Sequence, residues 1–152
     1  MKKMRLILAS TLIIIALVLT ACSSGPTRPA IEVSYDDFLE VQDTISRLVS
    51  KEIEVAAGSS FTVILWSNAT TGFQWSELAT IGNQNIVEQI DHEYVAPSSD
   101  DDTPPAPGTA GKEVWTFKAL QKGTTDIHME YSQPWEGGEK DAYTFFLTVV
   151  VK

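Results

Sequence analysis

From residue 51 onward, apolar and polar positions alternate with a period of two, the spacing of strands with one buried face. Residues 61–66 are β-branched and aromatic, with Phe61, Val63 and Leu65 on one side. Residues 112–120 alternate through Val114, Trp115, Thr116, Phe117 and Lys118. In residues 125–131 the phases separate cleanly: Ile127, Met129 and Tyr131 face one side, and Asp126, His128 and Glu130 face water. The run 144–151 is almost continuously apolar, which predicts a strand covered on both faces. Shorter candidates lie at 53–55, 73–75 and 86–95, and Ala57-Gly58-Ser59 and Lys122-Gly123 supply turns. About seven strands without βαβ spacing predict an all-β fold, an immunoglobulin-like antiparallel β-sandwich. A closed barrel is the alternative.

Two segments break this pattern. Ser34, Asp36 and Asp37 precede Phe38, Val41, Ile45 and Leu48 at helical spacing, which predicts a short N-capped amphipathic helix within residues 34–49. It packs on the sandwich edge or belongs to a tether. Residues 97–111 hold four prolines, three aspartates and two glycines, a composition of loop. The triplet Asp100-Asp101-Asp102 lacks EF-hand spacing, so a solvated loop is favoured over a calcium site.

At the start of the chain, Lys2, Lys3 and Arg5 precede fourteen apolar and small residues, 6–19. That length suits a signal-peptide core and falls short of the ~20 residues that span a bilayer. Leu19-Thr20-Ala21-Cys22 places small residues before the single cysteine, as in a bacterial lipobox with lipid on Cys22. The expected organisation is a lipoprotein signal peptide at 1–21, a lipidated tether with the short helix at 22–50, and an immunoglobulin-like domain at 51–152. Acylation of Cys22 would leave no cysteine for a disulfide or a thiolate site. The expected location is the bacterial cell envelope, anchored to the membrane through the lipid on Cys22 and facing outside the cytoplasm.

Removing the leader takes away three of the 11 Lys and Arg and none of the 20 Asp and Glu, leaving 8 against 20, a net charge of −12. A nucleic-acid partner is excluded by that sign. The same charge disfavours anionic head groups, so the acyl chains alone would hold the membrane. No pattern calls for a cofactor, and none demands more than a monomer.

Catalytic chemistry finds little support. Gly-x-Ser-x-Gly is absent, and no pair of carboxylates stands out. His92 and His128 are the only histidines, and His128 falls on an outward strand phase, so surface histidine is favoured over a metal site. Asn68-Ala69-Thr70 matches a glycosylation sequon, incidental in a bacterial cell.

Binding chemistry is better represented. Asn68-Ala69-Thr70-Thr71-Gly72-Phe73 and Gln133-Pro134-Trp135 each bring a large ring to a strand end. With Gly108 to Gly111 they follow even numbers of strand passages, which predicts that all three loops share one end of the sandwich. The bland reading is a tight turn with Phe73 and Trp75 in the core and Pro134 ending a strand.

These three motifs, in this order, resemble those of the chagasin family of cysteine-peptidase inhibitors, whose patterns are Asn-Pro-Thr-Thr-Gly-Phe/Tyr, a Gly-x-Gly-Gly-like turn and Arg-Pro-Trp/Phe. The resemblance continues through Trp-Thr-Phe-Lys-Ala-Leu at 115–120 and Met-Glu-Tyr at 129–131, and so covers 51–152. It implies a reversible, non-covalent inhibitor of papain-like cysteine peptidases, not an enzyme, that fills the active-site cleft with three loops. Asn68, Thr70, Thr71 and Gly72 would form the central finger. Gly108, Ala110 and Gly111 would flank it on one side through accessible backbone, and Gln133, Pro134 and Trp135 on the other. Phe73, from its position as the first residue of the following strand, would prop the central loop from below. Ala69, Ala110 and Gln133 depart from the family pattern, replacing Pro, Gly and Arg. The competing reading is a non-inhibitory immunoglobulin-like envelope lipoprotein that uses the same loops for another protein or ligand.

Overall fold

The computed structural model describes residues 28–40, 47–98 and 104–152; the leader, Cys22, Val41, Ile45 and the aspartate triplet lie outside them. Two sheets face each other. One runs in the order β1 (Ala30–Val33), β3 (Ser60–Ser67), β7 (Gly111–Ala119), β6 (Val87–Val95). The other runs β2 (Leu48–Val55), β9 (Tyr143–Val151), β8 (Gly123–Ser132), β4 (Gln74–Trp75), with β5 (Thr80–Ile81) also on β8. The sheets do not close into a barrel.

The core is made by the inward phases that the alternation marks. Phe61, Val63 and Leu65 of β3 meet Trp115 and Phe117 of β7, and Ile127, Met129 and Tyr131 of β8 meet Phe145, Leu147 and Val149 of β9. Phe61 and Phe117 sit opposite in register with rings stacked 5.3 Å apart. The outer phase of β9 is only half-buried, so its apolar run covers one face fully and the other in part.

Direction and boundaries differ from the sequence reading. Both N-terminal strands pair in parallel at sheet edges, β1 with β3 and β2 with β9, so each sheet is mixed. Period-two alternation tells which face a residue takes and carries no information on strand polarity. The folded unit also begins before Lys51, since Val33, Phe38 and Val49 are all core residues.

The helix is one turn, α1 (Tyr35–Leu39), opened by a capping box between Ser34 and Asp37. Hydrogen bonds from the Ser34 hydroxyl and N–H, with Lys51 nearby, hold the Asp37 carboxyl below its ordinary range. Leu48 does not continue this helix. It starts β2, where eight residues of ladder with β9 outweigh helical spacing.

Phe38 is 2% exposed and packs 5.6 Å from the Trp75 ring and 5.2 Å from Tyr143. Phe38→Ala is expected to cost about 3–5 kcal/mol, measured by denaturant unfolding; an unchanged midpoint would return this segment to the tether.

Candidate functional site

Sheet register brings three loops to one end. Ser67 at the end of β3 pairs with Gly111 at the start of β7, and Gln74 of β4 pairs with Ser132 at the end of β8. The loops 68–73 and 133–142 and the segment 104–110 therefore emerge side by side.

The central loop is self-organised. Ala69–Thr71 form a 3-10 turn capped by the Asn68 side chain, whose Oδ1 accepts the Thr70 N–H at 3.2 Å and the Thr70 hydroxyl at 2.7 Å. The Thr71 hydroxyl donates to the Asn68 carbonyl at 2.7 Å. Both threonine hydroxyls are thus engaged within the loop as donors. Gly72 ends the turn in the left-handed region, φ 78°.

Contacts between loops lock the three together. Asn68 Nδ2 donates to the Gly108 carbonyl at 3.1 Å. On the other side the Trp135 ring lies on Gly72, where an added Cβ would stand 2.7 Å from Cη2. Trp135 remains 50% exposed. Its loop is closed by Gln133, whose N–H donates to the Glu139 carbonyl at 2.8 Å and whose Oε1 accepts the Glu139 N–H at 3.0 Å. Lys140 Nζ donates to the Gln133 and Trp135 carbonyls. The residue in place of arginine therefore folds back to shape its own loop.

The flanking turn divides in two. Gly108 is exposed with φ 86°, in open space. Ala110 is half-buried and is not among the positive-φ residues, so alanine fits there without strain. Gly111 does not offer accessible backbone: it is buried in β7, with the Val95 carbonyl 2.4 Å and the Tyr94 hydroxyl 2.6 Å from where a Cβ would be. Pro134 is exposed beside Trp135.

Aromatic side chains support the edge from beneath. Phe73 stacks on Tyr131 at 5.5 Å, and the Tyr131 hydroxyl accepts the Asn68 N–H at 2.9 Å. Trp75 is buried, and its Nε1–H donates to the Trp66 carbonyl at 2.7 Å. Tyr35, Trp66, Phe73, Tyr131 and Tyr143 line a cleft of about 490 Å³ below the loop, with Arg47 5.3 Å above the Tyr143 ring. Burial, with the Tyr35 hydroxyl 3.5 Å away, pushes the Tyr143 phenol up to about 12.

The two histidines do not share a site. His128 Nδ1 is 3.8 Å from Glu130, and His92 Nε2 is 3.0 Å from Glu113 Oε2. Among the described residues no group of three or more His, Cys, Asp or Glu is placed to hold a metal ion. Glu113 is the residue that the sequence reading passed over. The signal was present: a charged residue on the inward phase of an otherwise apolar strand.

The family model of the chagasin family peptidase inhibitor I42 matches residues 54–149. The chain belongs to the chagasin family. Comparison with curated protein sequences gives no match. The fold is similar to the crystal structure of the cysteine protease inhibitor EhICP2 from Entamoeba histolytica, at TM-score 0.59 and 18% identity over 84% of this chain and 100% of that one. The solution structure of amebosin aligns at TM-score 0.49 and 24% identity over 84% of this chain and 100% of that one.

Two substitutions test the loop's construction. Gly72→Ala is expected to cost about 1–2 kcal/mol from its left-handed backbone and to shift the Trp135 indole N–H resonance. Ala69→Pro is expected to add about 0.4–1 kcal/mol, because a proline ring suits the first residue of a turn; thermal unfolding reads both, and a destabilising proline would mean the loop differs from this description.

Proposed function

We propose that this chagasin-family protein is a reversible, non-covalent inhibitor of papain-like cysteine peptidases that inserts its three-loop edge into the active-site cleft. The single observation that carries the reading is the locked edge: Asn68 joined to Gly108 and Gly72 joined to Trp135. Such an edge is pre-organised, so little ordering entropy opposes binding.

Asn68, Thr70, Thr71 and Gly72 form the central finger, through backbone that the threonine hydroxyls hold in shape. Gly108 and Ala110 flank it on one side. Trp135, backed by Pro134 and by the Gln133 closure, supplies an exposed aromatic anchor on the other. Gly111 enters indirectly, as the buried residue that lets the flanking strand begin. Inhibition then comes from filling the cleft without presenting a cleavable bond in register. The protein acts as a monomer, held to the bacterial envelope by lipid on Cys22, outside the cytoplasm and apart from nucleic acid.

Residues 23–152 titrated against a varied panel of papain-like enzymes, with serine peptidases as controls, should inhibit only the former; silence at micromolar inhibitor across the panel sinks the proposal. Trp135→Ala should weaken inhibition by about 2 kcal/mol or more with little change in melting temperature, as the residue is already half-exposed.

A further inference from the structure

Glu113 is the only buried charged side chain among the described residues, at 4% exposure. It stands in β7 between Gly111 and Trp115, and the inward phase continues through Phe117 and Ala119. Packing alone asks for an apolar residue there. A carboxyl group in such a place is costly unless each oxygen finds a donor.

Both oxygens do. Oε1 accepts the Ser67 hydroxyl at 2.7 Å and the Trp75 main-chain N–H at 3.1 Å, and Oε2 shares a hydrogen bond with His92 Nε2 at 3.0 Å. The His92 ring lies on Trp115, centroids 4.8 Å apart, which fixes its orientation.

The identity of these partners matters. Ser67 is the last residue before the central loop, and Trp75 closes β4 just after it. The two belong to different sheets. A cleft of about 190 Å³, lined in part by Ser67, Ala69, Trp75, His92, Tyr94 and Glu113, adjoins the start of the loop, so packing on that side is incomplete. Hydrogen bonds supplement it there.

We propose that Glu113 is a positioning residue of the inhibitory edge: it pins both stems of the 68–73 loop to β7 and, through His92, to β6. This rests on the inhibitory reading above. The pin sets the spacing of the two stems, and with it the height and tilt of the turn that enters the cleft. Glu113 itself touches no peptidase.

The test compares Glu113→Gln, Glu113→Ala and Ser67→Ala in residues 23–152, reading amide hydrogen exchange by NMR and the inhibition constant against papain. Glu113→Ala should raise exchange of the 68–75 amides by about tenfold or more while the β8–β9 amides stay protected. It should also raise the inhibition constant by about tenfold, at a temperature where circular dichroism shows a folded chain. Glu113→Gln keeps an acceptor for Ser67 and Trp75 and should remain within about threefold of the parent, the rescue that a charge effect would not give.

Unchanged loop exchange in Glu113→Ala, or a rise shared equally by all strands, overturns the proposal, as does an unchanged inhibition constant in folded Glu113→Ala. If Glu113→Ala does not fold, Ser67→Ala decides by the same two readings. If the parent protein inhibits no papain-like enzyme, the inhibitory reading falls on its own, and the exchange data still judge the pin.

Discussion

The loop at 68–73 is where the chain crosses from one sheet to the other, so its shape is only as firm as the spacing between the sheets. β3 enters it from the first sheet and β4 leaves it into the second. Three buried groups hold that crossing. The Trp75 indole donates to the Trp66 carbonyl, the Tyr131 hydroxyl bonds the Asn68 N–H and lies 3.3 Å from its carbonyl, and the Glu113 carboxyl takes donors from both stems. Trp75 and Tyr131 are also among the largest fully buried side chains of the core. Core formation and loop geometry therefore depend on the same residues, and a loop on such a base behaves as an extension of the sandwich.

The N-terminal segment belongs to this support. β1 and β2 add to edges of opposite sheets, and α1 between them carries Tyr35 and Phe38 to the aromatic cluster below the loop. Tyr35 lies 4.6 Å from Trp66, and Phe38 lies against Trp75. Edge strands that are paired or covered offer fewer open hydrogen-bonding groups for unwanted association. The segment that reads as a tether thus finishes the sandwich and props the functional end.

On the proposed reading, the edge acts by shape. Its hydroxyls donate inward, its glutamine closes its own loop, and its exposed anchor is an indole. Groups already held in place lose little rotamer freedom on entering a narrow cleft. Family departures fit this logic. Ala110 needs no glycine backbone, and Gln133 gains a loop-closing role in exchange for the fixed charge of arginine.

Much of this was legible in the residues alone. Alternation marked the inward faces of β3, β7 and β8, because burial acts on each side chain locally and leaves its period in the chain. The three loops share one end as expected, although among the described residues they follow three, six and eight strands instead of even numbers, and the motifs pointed to the family. The placement of Phe73 as a prop also followed from its position at a strand start. What pairing decides was hidden: the parallel direction of β1 and β2, the assignment of Leu48 to a ladder instead of a helix, and the burial of Gly111 under Tyr94. The partners of Gln133 and Glu113 were hidden for the same reason. A hydrogen bond or a Cβ clash depends on residues distant in sequence and adjacent in space, and only the folded chain brings them together.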